Sequence, residues 1–355
     1  MEMPNVNPST TTIEALEAKF AIAQQHSLAN YSFYLGATEG NLDEIKKLDP
    51  QKHCGVKVFM GASTGNLLVE DPQALEAIFA QSPVLIVTHC ESGPVIAANR
   101  ARLLEEKPSL TIEDHPLLRD DEACYASSSY AVELAKKHGS NLHVLHITTE
   151  KELALFEEGP IEGKCITAEA CAHHLWFSNE DYAQKGNLIK CNPAVKYPSD
   201  RQALLNALTT GQIDVIATDH APHTWEEKQG EYDSAPAGLP LVQHALLTLL
   251  DHVSNGVMTL SQVVEKTAHN PAIRYGVKER GYIREGYYAD LVLIDADSTT
   301  TVSSDNLYYH CQWSPFTGHT FSSTIEGTWI NGEHVYSADG FSDKPSSAMR
   351  LEFAR

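Results

Sequence analysis

A carboxylate and two imidazoles follow a short apolar run in the second half of the chain. Residues 213–218 have the composition of a buried parallel strand, and Asp219-His220-Ala221-Pro222-His223 comes directly after them. A parallel barrel keeps its chemistry at the carboxyl ends of its strands. Aspartate and histidine are also ligands that zinc and related divalent ions prefer. The pattern therefore predicts a metal site at the end of this strand.

Three earlier predicted strands supply further candidate ligands, each within or just past its strand: Lys57, His89 and His146. Taken singly, each residue has a structural interpretation. A histidine there is usually a hydrogen-bonded core group, a lysine usually extends to solvent, and Asp219 could cap a helix. Four strand ends of one barrel converge on its mouth, so their joint occurrence favours a metal centre. Lys57 would join it only after a modification that makes its end anionic.

The elements that would position these residues alternate along the chain. Apolar runs predict strands at 31–35, 56–60, 84–88, 142–147, 165–168 and 214–218. Amphipathic patterns predict helices at 12–26, 72–81, 121–138, 150–157, 199–209 and 239–253. The alternation predicts an α/β fold, a (β/α)8 barrel of the TIM type. With residues 1–4 as the end of one more strand the count reaches seven, and we expect the remaining strand to precede Met1.

The pattern changes after about residue 270. Two segments separated by glycines, 287–294 and 323–336, have the composition of strands, and the second contains the turn Asn331-Gly332. They predict a small β module with a hairpin. We therefore divide the chain into a barrel over 1–270 and a β module with a C-terminal tail over 271–355. The polar tail, 337–355, is expected to run over the surface.

Composition narrows the class of protein. The chain has 355 residues, 42% of them hydrophobic, and a formal net charge of -21, which disfavours nucleic acid and anionic membranes as partners and favours a small-molecule substrate. Its 7 cysteines form no C-x-x-C pair, as expected of a protein in the reducing cytoplasm. We find no secretory signal and no apolar run long enough for a membrane span.

Several motifs, taken in order, resemble those of the dihydroorotases, which belong to the cyclic amidohydrolases. They are Met3-Pro4-Asn5-Val6-Asn7-Pro8, Gly55-Val56-Lys57-Val58-Phe59-Met60-Gly61, His146-Ile147-Thr148-Thr149, His173-His174-Leu175, Lys190-Cys191-Asn192-Pro193 and Asp219-His220-Ala221-Pro222-His223. Hydantoinases and allantoinases are the near relatives. The resemblance extends over most of the chain.

The resemblance implies a metal centre and a reaction. Lys57 would be carboxylated and bridge two zinc ions, His89 and His146 would hold one ion, and Asp219 would bind the other and shuttle a proton. The reaction would be the reversible hydrolysis of dihydroorotate to N-carbamoyl-aspartate in pyrimidine biosynthesis.

The resemblance also implies a substrate site. Asn5 and His223 would bind the ring carboxylate, Asn192 the ring amide edge, and the backbone near Ala237 and Gly238 would complete the contacts. Without the resemblance, Asn5 and Asn192 are equally well explained as turn residues. Neither histidine of His173-His174 is expected to be a ligand.

One departure from the family pattern leaves alternatives open. The family carries a His-x-His pair and an arginine ahead of its Met-Pro-Asn motif, and this sequence begins after them. We therefore expect an N-terminally truncated dihydroorotase that lacks half of one metal site and does not reach full turnover. It should also bind dihydroorotate weakly, because the arginine would have paired with its carboxylate. The alternatives are a hydantoinase-like or allantoinase-like hydrolase, and a non-catalytic homologue that binds aspartate carbamoyltransferase. A homodimer is a further expectation from the family.

Overall fold

The computed structural model describes residues 1–61, 67–343 and 346–355. Its strands, in chain order, are β1 Leu35–Gly36, β2 Val56–Met60, β3 Ile86–Cys90, β4 Leu142–Val144, β5 Ile166–Cys171, β6 Val215–Ala217, β7 Leu291–Asp295, β8 Thr300–Thr301, β9 Thr320–Phe321, β10 Thr324–Ile330, β11 Glu333–Ser337 and β12 Gly340–Phe341. Its α-helices are α1 Ile13–His26, α2 Leu42–Ile45, α3 Pro72–Gln81, α4 Gly93–Glu106, α5 His115–Leu118, α6 Asp121–His138, α7 Glu150–Leu153, α8 Ala172–Trp176, α9 Tyr182–Lys185, α10 Pro198–Thr210, α11 Trp225–Lys228, α12 Ala245–Ser254, α13 Leu260–Val264 and α14 Asn270–Tyr275.

Strands β1 to β6 form one sheet in which each strand pairs in parallel with the next in sequence. Ahead of β1, Glu2 forms a parallel bridge with Phe33, so the N-terminal segment adds a further strand position, as predicted. Helices follow most of the strands. This is the predicted TIM-like α/β barrel architecture, and it directs the carboxyl ends of all these strands to one mouth.

The two faces of the sheet have different neighbours. Ile86 on β3 belongs to the large core between the strands and the outer helices, whereas its neighbour Val87 belongs to a smaller cluster with Tyr34, Tyr275 and Phe353. Successive residues of a strand point to opposite faces, so this second cluster fills the barrel interior. It lies at the end of the barrel opposite the predicted site.

Local signals explain why two predicted helices have the predicted bounds. Asp71 caps α3 by accepting a hydrogen bond from the Ala74 N–H at 2.8 Å, and Pro72 occupies the first turn. Asp120 caps α6 in the same way, and Gly139, at φ 66°, ends it in the left-handed conformation.

The small β module has the predicted hairpin. β12, β11, β10 and β7 form a four-stranded sheet in that order. Asn331 and Gly332, at φ 52° and 87°, form the tight turn between β10 and β11. Both residues tolerate positive φ, which a two-residue hairpin of this type requires.

The C-terminal tail was predicted wrongly in its last part. Residues 344–345 lie outside the described residues, but the chain after them returns to the barrel. The Phe353 side chain is fully buried, and Leu351 donates its N–H to Tyr31 O at 2.9 Å. The apolar residues Leu351 and Phe353 make this possible, because they close the amino end of the barrel.

Several element bounds differ from the prediction: the strand predicted at 31–35 is reduced to β1, and the helix predicted at 150–157 ends at Leu153. Two others are explained by the conformation or pairing of particular residues. β4 stops at Val144 because His146, at φ 41°, cannot continue an extended strand. The helix predicted from residue 239 begins only at Ala245, because Leu239 forms a parallel bridge with His220. Both differences lie at the barrel mouth.

In the part of the chain that the structure describes, no helix has the length and apolar character needed to cross a membrane. All seven cysteines are free.

Candidate metal centre and active site

Two predicted metal ligands meet at the mouth of the barrel. His89 lies in β3 and His146 follows β4, and both side chains are buried. His89 Nδ1 lies 3.0 Å from His146 Nε2. Two imidazole nitrogens bound tetrahedrally to one zinc ion, at about 2.0–2.1 Å each, lie roughly 3.3 Å apart. The observed spacing is therefore close to that of two ligands of one ion.

Both imidazoles are held in the neutral form that a metal requires. Burial lowers the pKa of His89, with Glu91 opposing the shift. Burial also holds the pKa of His146 well below its usual value, and the neighbouring His89 adds to this effect. Neutral imidazole has a free lone pair for a divalent ion.

A carboxylate and an arginine stand behind His89, and sequence reasoning missed both. Glu91 is fully buried, and its Oε2 lies 3.0 Å from His89 Nε2. Arg119 forms an ion pair with the same carboxylate oxygen. Burial alone would raise the pKa of Glu91, but Arg119 and His89 bring it down to about 2. Carboxylates in this position orient metal-binding histidines. The signal in the sequence was weak, since only the spacing Thr88-His89-Cys90-Glu91 links the two residues.

Lys57 and Asp219 are electrostatically coupled inside the barrel. Lys57 lies in β2 with its side chain buried, and its Nζ lies 4.5 Å from the centre of the Phe59 ring. Burial lowers the pKa of Lys57 to about 8, with the charge of Asp219 opposing. Burial raises the pKa of Asp219 to about 6, and the charge of Lys57 opposes that shift. A lowered pKa gives Lys57 a larger fraction of neutral amine than an ordinary lysine has, and carboxylation by carbon dioxide needs that neutral form.

The backbone turns sharply at two predicted ligands. His146 and Asp219 have φ values of 41° and 47°, in the left-handed region that residues other than glycine seldom adopt. Each residue stands just beyond a short strand. Such conformations concentrate at functional sites, where the surrounding structure holds them.

The predicted substrate residue Asn192 presents a free acceptor. Its Oδ1 is buried and has no hydrogen-bond partner among the residues that the structure describes. An unsatisfied buried acceptor costs about 1–3 kcal/mol, so it is usually paired in the functional state. An N–H group of a ligand could supply the missing donor.

His223, Ala237 and Gly238 lie together. The His223 side chain is 31% exposed, and its ring contacts the Ala237 carbonyl. Gly238 has φ 146°, and a Cβ added to it would lie 2.4 Å from Ala221 O and 3.1 Å from His223 Cδ2. Only glycine allows this segment to pack against the loop that carries Asp219 and His223.

Asn5 is not brought into this group. It is exposed, and among the described residues it forms no hydrogen bond with any other predicted site residue. The preceding Pro4 is buried and fixes the position of the segment. A role for Asn5 stays a prediction.

A second group of buried ligand types lies at the end of β5. One ligand atom each from Cys171, His173 and His174 lie within 4.8 Å of one another. Both ring nitrogens of His173 are buried, and His174 Nε2 lies 3.2 Å from Pro193 O. The sequence-based expectation that neither histidine binds a metal stays a prediction.

The two histidines fit the expected metal centre, whereas among the described residues the group of three His, Cys, Asp or Glu ligand atoms within 4.8 Å of one another is Cys171, His173 and His174. Two neutral imidazole nitrogens face each other, a carboxylate stands behind one of them, and a buried lysine is coupled to a strand-end aspartate. These are nitrogen and oxygen donors of the kind that zinc accepts. The residues that would hold it are Lys57, His89, His146 and Asp219.

Comparison with known proteins agrees with this geometry. The model of the Amidohydrolase family matches residues 83–335. The chain is 32% identical over 347 residues to a dihydroorotase of Halobacterium salinarum, covering 96% of this chain and 79% of that protein. It is 29% identical over 350 residues to an allantoinase of Bacillus velezensis, covering 96% of this chain and 76% of that protein.

Among solved structures, an L-hydantoinase (dihydropyrimidinase) from Arthrobacter aurescens matches with a TM-score of 0.92 and 25% sequence identity, covering 99% of this chain and 80% of that chain. This match confirms the predicted barrel with its small β module. The family match extends over most of the chain, and it confirms the resemblance seen in the motifs. The chain belongs to the amidohydrolase family.

Proposed function

We propose that this protein is a dihydroorotase, a cytoplasmic zinc enzyme of pyrimidine (UMP) biosynthesis. It would hydrolyse the ring amide of dihydroorotate to N-carbamoyl-aspartate and catalyse the reverse ring closure. The observation that carries the proposal is the approach of His89 Nδ1 to His146 Nε2 at 3.0 Å, at the mouth that also contains Lys57 and Asp219. Members of the amidohydrolase family are metal-dependent.

The chain's own residues would perform the proton transfers. Divalent ions held by Lys57, His89, His146 and Asp219 would supply an activated water and polarise the ring carbonyl. Asp219 would accept the proton of the attacking water and return it to the departing ring nitrogen. In the metal-free protein, burial raises the pKa of the Asp219 carboxyl to about 6, which moves its change of protonation state toward neutral pH.

The proposed substrate contacts follow from groups at the mouth. The unpaired Oδ1 of Asn192 would accept a hydrogen bond from a ring N–H. His223 and the backbone of Ala237 and Gly238 would contact the ring carboxylate, with Asn5 as a further proposed contact. A carboxylate would need such donors, since it is an acceptor only.

A second candidate is a cyclic-amide hydrolase of the hydantoinase or allantoinase type. It is favoured by the match to the Bacillus velezensis allantoinase and by the high TM-score with the Arthrobacter aurescens L-hydantoinase. The two candidates differ in whether the ring must carry a carboxylate.

The test is a substrate panel with the purified protein supplied with zinc and bicarbonate. Dihydroorotate, dihydrouracil, hydantoin and allantoin would be compared by kcat/KM. We expect turnover of dihydroorotate above that of the other three. Preferred turnover of a neutral ring would favour the second candidate. No turnover of any ring, with zinc bound, would contradict both and favour a non-catalytic homologue, for which association with aspartate carbamoyltransferase is the next assay.

A further inference from the structure

Lys228 is a buried cation at the edge of the proposed substrate site. It ends α11, and its side chain is 1% exposed. Its Nζ donates to three backbone carbonyls, Lys190 O at 3.2 Å, Pro236 O at 2.9 Å and Gly238 O at 3.0 Å. An ammonium group has three donors and no acceptor, so the three carbonyls match its full capacity. Among the described residues, no carboxylate forms an ion pair with it.

The three carbonyls belong to two segments that meet at the site. One is the segment of Lys190, which leads directly to Asn192, and the other is 236–238. Gly238 also donates its N–H to Lys190 O at 2.9 Å, so the segments are joined both directly and through Lys228. Gly238 packs against His223. A shift of the backbone that Lys228 holds would therefore move the surface against which that imidazole lies.

A second buried lysine adds to the positive charge. The Lys190 Nζ donates to two other carbonyls of the 232–238 loop, Tyr232 O at 2.5 Å and Ala235 O at 2.6 Å. Neither lysine has a carboxylate partner within ion-pair distance among the described residues. In a chain of net charge -21, two such ammonium groups make a local positive region.

The charge of Lys228 contributes to the lowered pKa of His223. Burial is the main reason that the pKa of His223 is lowered, and Lys228 is the next cause. Burial also lowers the pKa of Lys228 to about 8, so the ammonium form prevails at pH 7. A buried charge without a counter-ion is costly even when it is hydrogen-bonded, and a nearby anion would reduce that cost. A neutral ring would gain nothing comparable.

We propose that Lys228 makes this site selective for cyclic amides that carry a carboxylate, by holding residues 236–238 in place and by attracting the anion toward His223. The inference rests on the proposed function and specifies how its substrate is distinguished from neutral rings. Lys228 is a positioning residue in this account, because its donors are used on the backbone and its charge acts through His223.

The experiment measures binding of two planar probes to the zinc-loaded protein by calorimetry. Orotate carries a ring carboxylate, whereas uracil has the same ring without it. Lys228→Gln keeps a donor for the carbonyls and removes the charge, and Lys228→Met removes both. Lys164→Gln is the control, because the Lys164 side chain is also buried and donates to two carbonyls, Glu157 O and Gly211 O, near the start of β5 and away from the mouth. It differs from Lys228 in its ion pair with Asp214, at 2.9 Å.

We expect Lys228→Gln to weaken orotate binding by about tenfold or more and to leave uracil binding within about threefold. Lys228→Met should lower the orotate preference at least as much, and Lys164→Gln should leave it unchanged. An unchanged orotate preference in either folded Lys228 variant would overturn the inference while the proposed function stands. A wild-type protein that binds neither probe would overturn the proposed function and this inference together.

Discussion

The two ends of the barrel are built for different purposes. At the amino end, Tyr34 and Tyr275 join their hydroxyls at 2.6 Å, Arg274 donates to backbone carbonyls such as Leu142 O at 2.8 Å, and Phe353 is fully buried. The polar groups named here are paired, except for the buried Arg274 Nε, which has no hydrogen-bond partner among the described residues. At the carboxyl end, buried polar atoms such as Asn192 Oδ1 and Glu91 Oε1 have no hydrogen-bond partner among the described residues.

This difference separates stability from function. A paired polar group and a buried aromatic ring stabilise the fold, whereas an unpaired buried group costs free energy unless a ligand satisfies it. The positive φ values of His146 and Asp219 are also at the carboxyl end. Substitutions at that end should therefore change metal binding and activity, and substitutions at the amino end should change stability.

The largest expected effect comes from Lys57→Ala. Removing the proposed bridging ligand should abolish measurable dihydroorotate hydrolysis and reduce bound zinc, because the remaining ligands cannot hold two ions. Zinc content by mass spectrometry and the hydrolysis rate are the measurements. Lys266→Ala, at another buried lysine, is the control. Unchanged zinc content in Lys57→Ala would refute the carboxylated-lysine assignment.

Asp219→Asn should have the next largest effect. Loss of a general acid–base group lowers kcat by roughly 10²–10⁴-fold. We expect zinc at His89 and His146 to be retained, so metal content separates lost proton transfer from a lost site. A rate within a few fold of the wild type would exclude Asp219 as the proton carrier.

The pH dependence should report the same carboxyl. Its pKa is raised to about 6, so Asp219 is protonated below that pH and cannot accept a proton. The hydrolysis rate of the wild type should fall as the pH decreases through about 6. A rate that stays level down to pH 5 would argue against this role.

Glu91→Gln, also at the carboxyl end of the barrel, should have a smaller effect, which we expect on zinc affinity. Loss of a carboxylate that orients a metal-binding histidine typically weakens metal affinity by roughly 10–100-fold. Competition with a chelator would measure the zinc affinity, with Glu76→Gln, at a surface ion pair, as the control. Equal zinc affinities for the two variants would remove Glu91 from the metal centre.

The smallest effect on activity is expected at the amino end. Phe353→Ala should lower the free energy of unfolding by about 3–5 kcal/mol, because it empties a fully buried aromatic site. At a temperature where the variant is folded, its kcat should match that of the wild type. Thermal unfolding and steady-state kinetics would measure the two quantities. A large loss of kcat without loss of stability would break the separation of the two ends.

The sequence predicted the elements whose signals are local. Residues 56–60 are apolar except for Lys57, and β2 has those bounds. Helices α3 and α6 also have the predicted bounds, because capping residues such as Asp71 and Gly139 stand at their ends. Periodicity predicted the strands and helices, whereas the roles of the site residues were predicted from the family motifs.

Features that depend on distant residues were missed. The ion pair of Glu91 with Arg119 joins residues 28 positions apart, and the bond from Lys228 to Lys190 O spans 38. Phe353 is buried against residues from distant parts of the chain, such as Tyr34 and Tyr275. A positive φ is usually predicted from a glycine, and His146 has a positive φ without one. The end of β4 was therefore predicted too late in the sequence.

The most direct test of the metal centre is anomalous diffraction at the zinc edge, from crystals grown with zinc and bicarbonate. The account predicts an anomalous peak within bonding distance of His89 Nδ1 and His146 Nε2, next to extra density on Lys57 Nζ. Zinc found only at Cys171, His173 and His174, with none between His89 and His146, would contradict it.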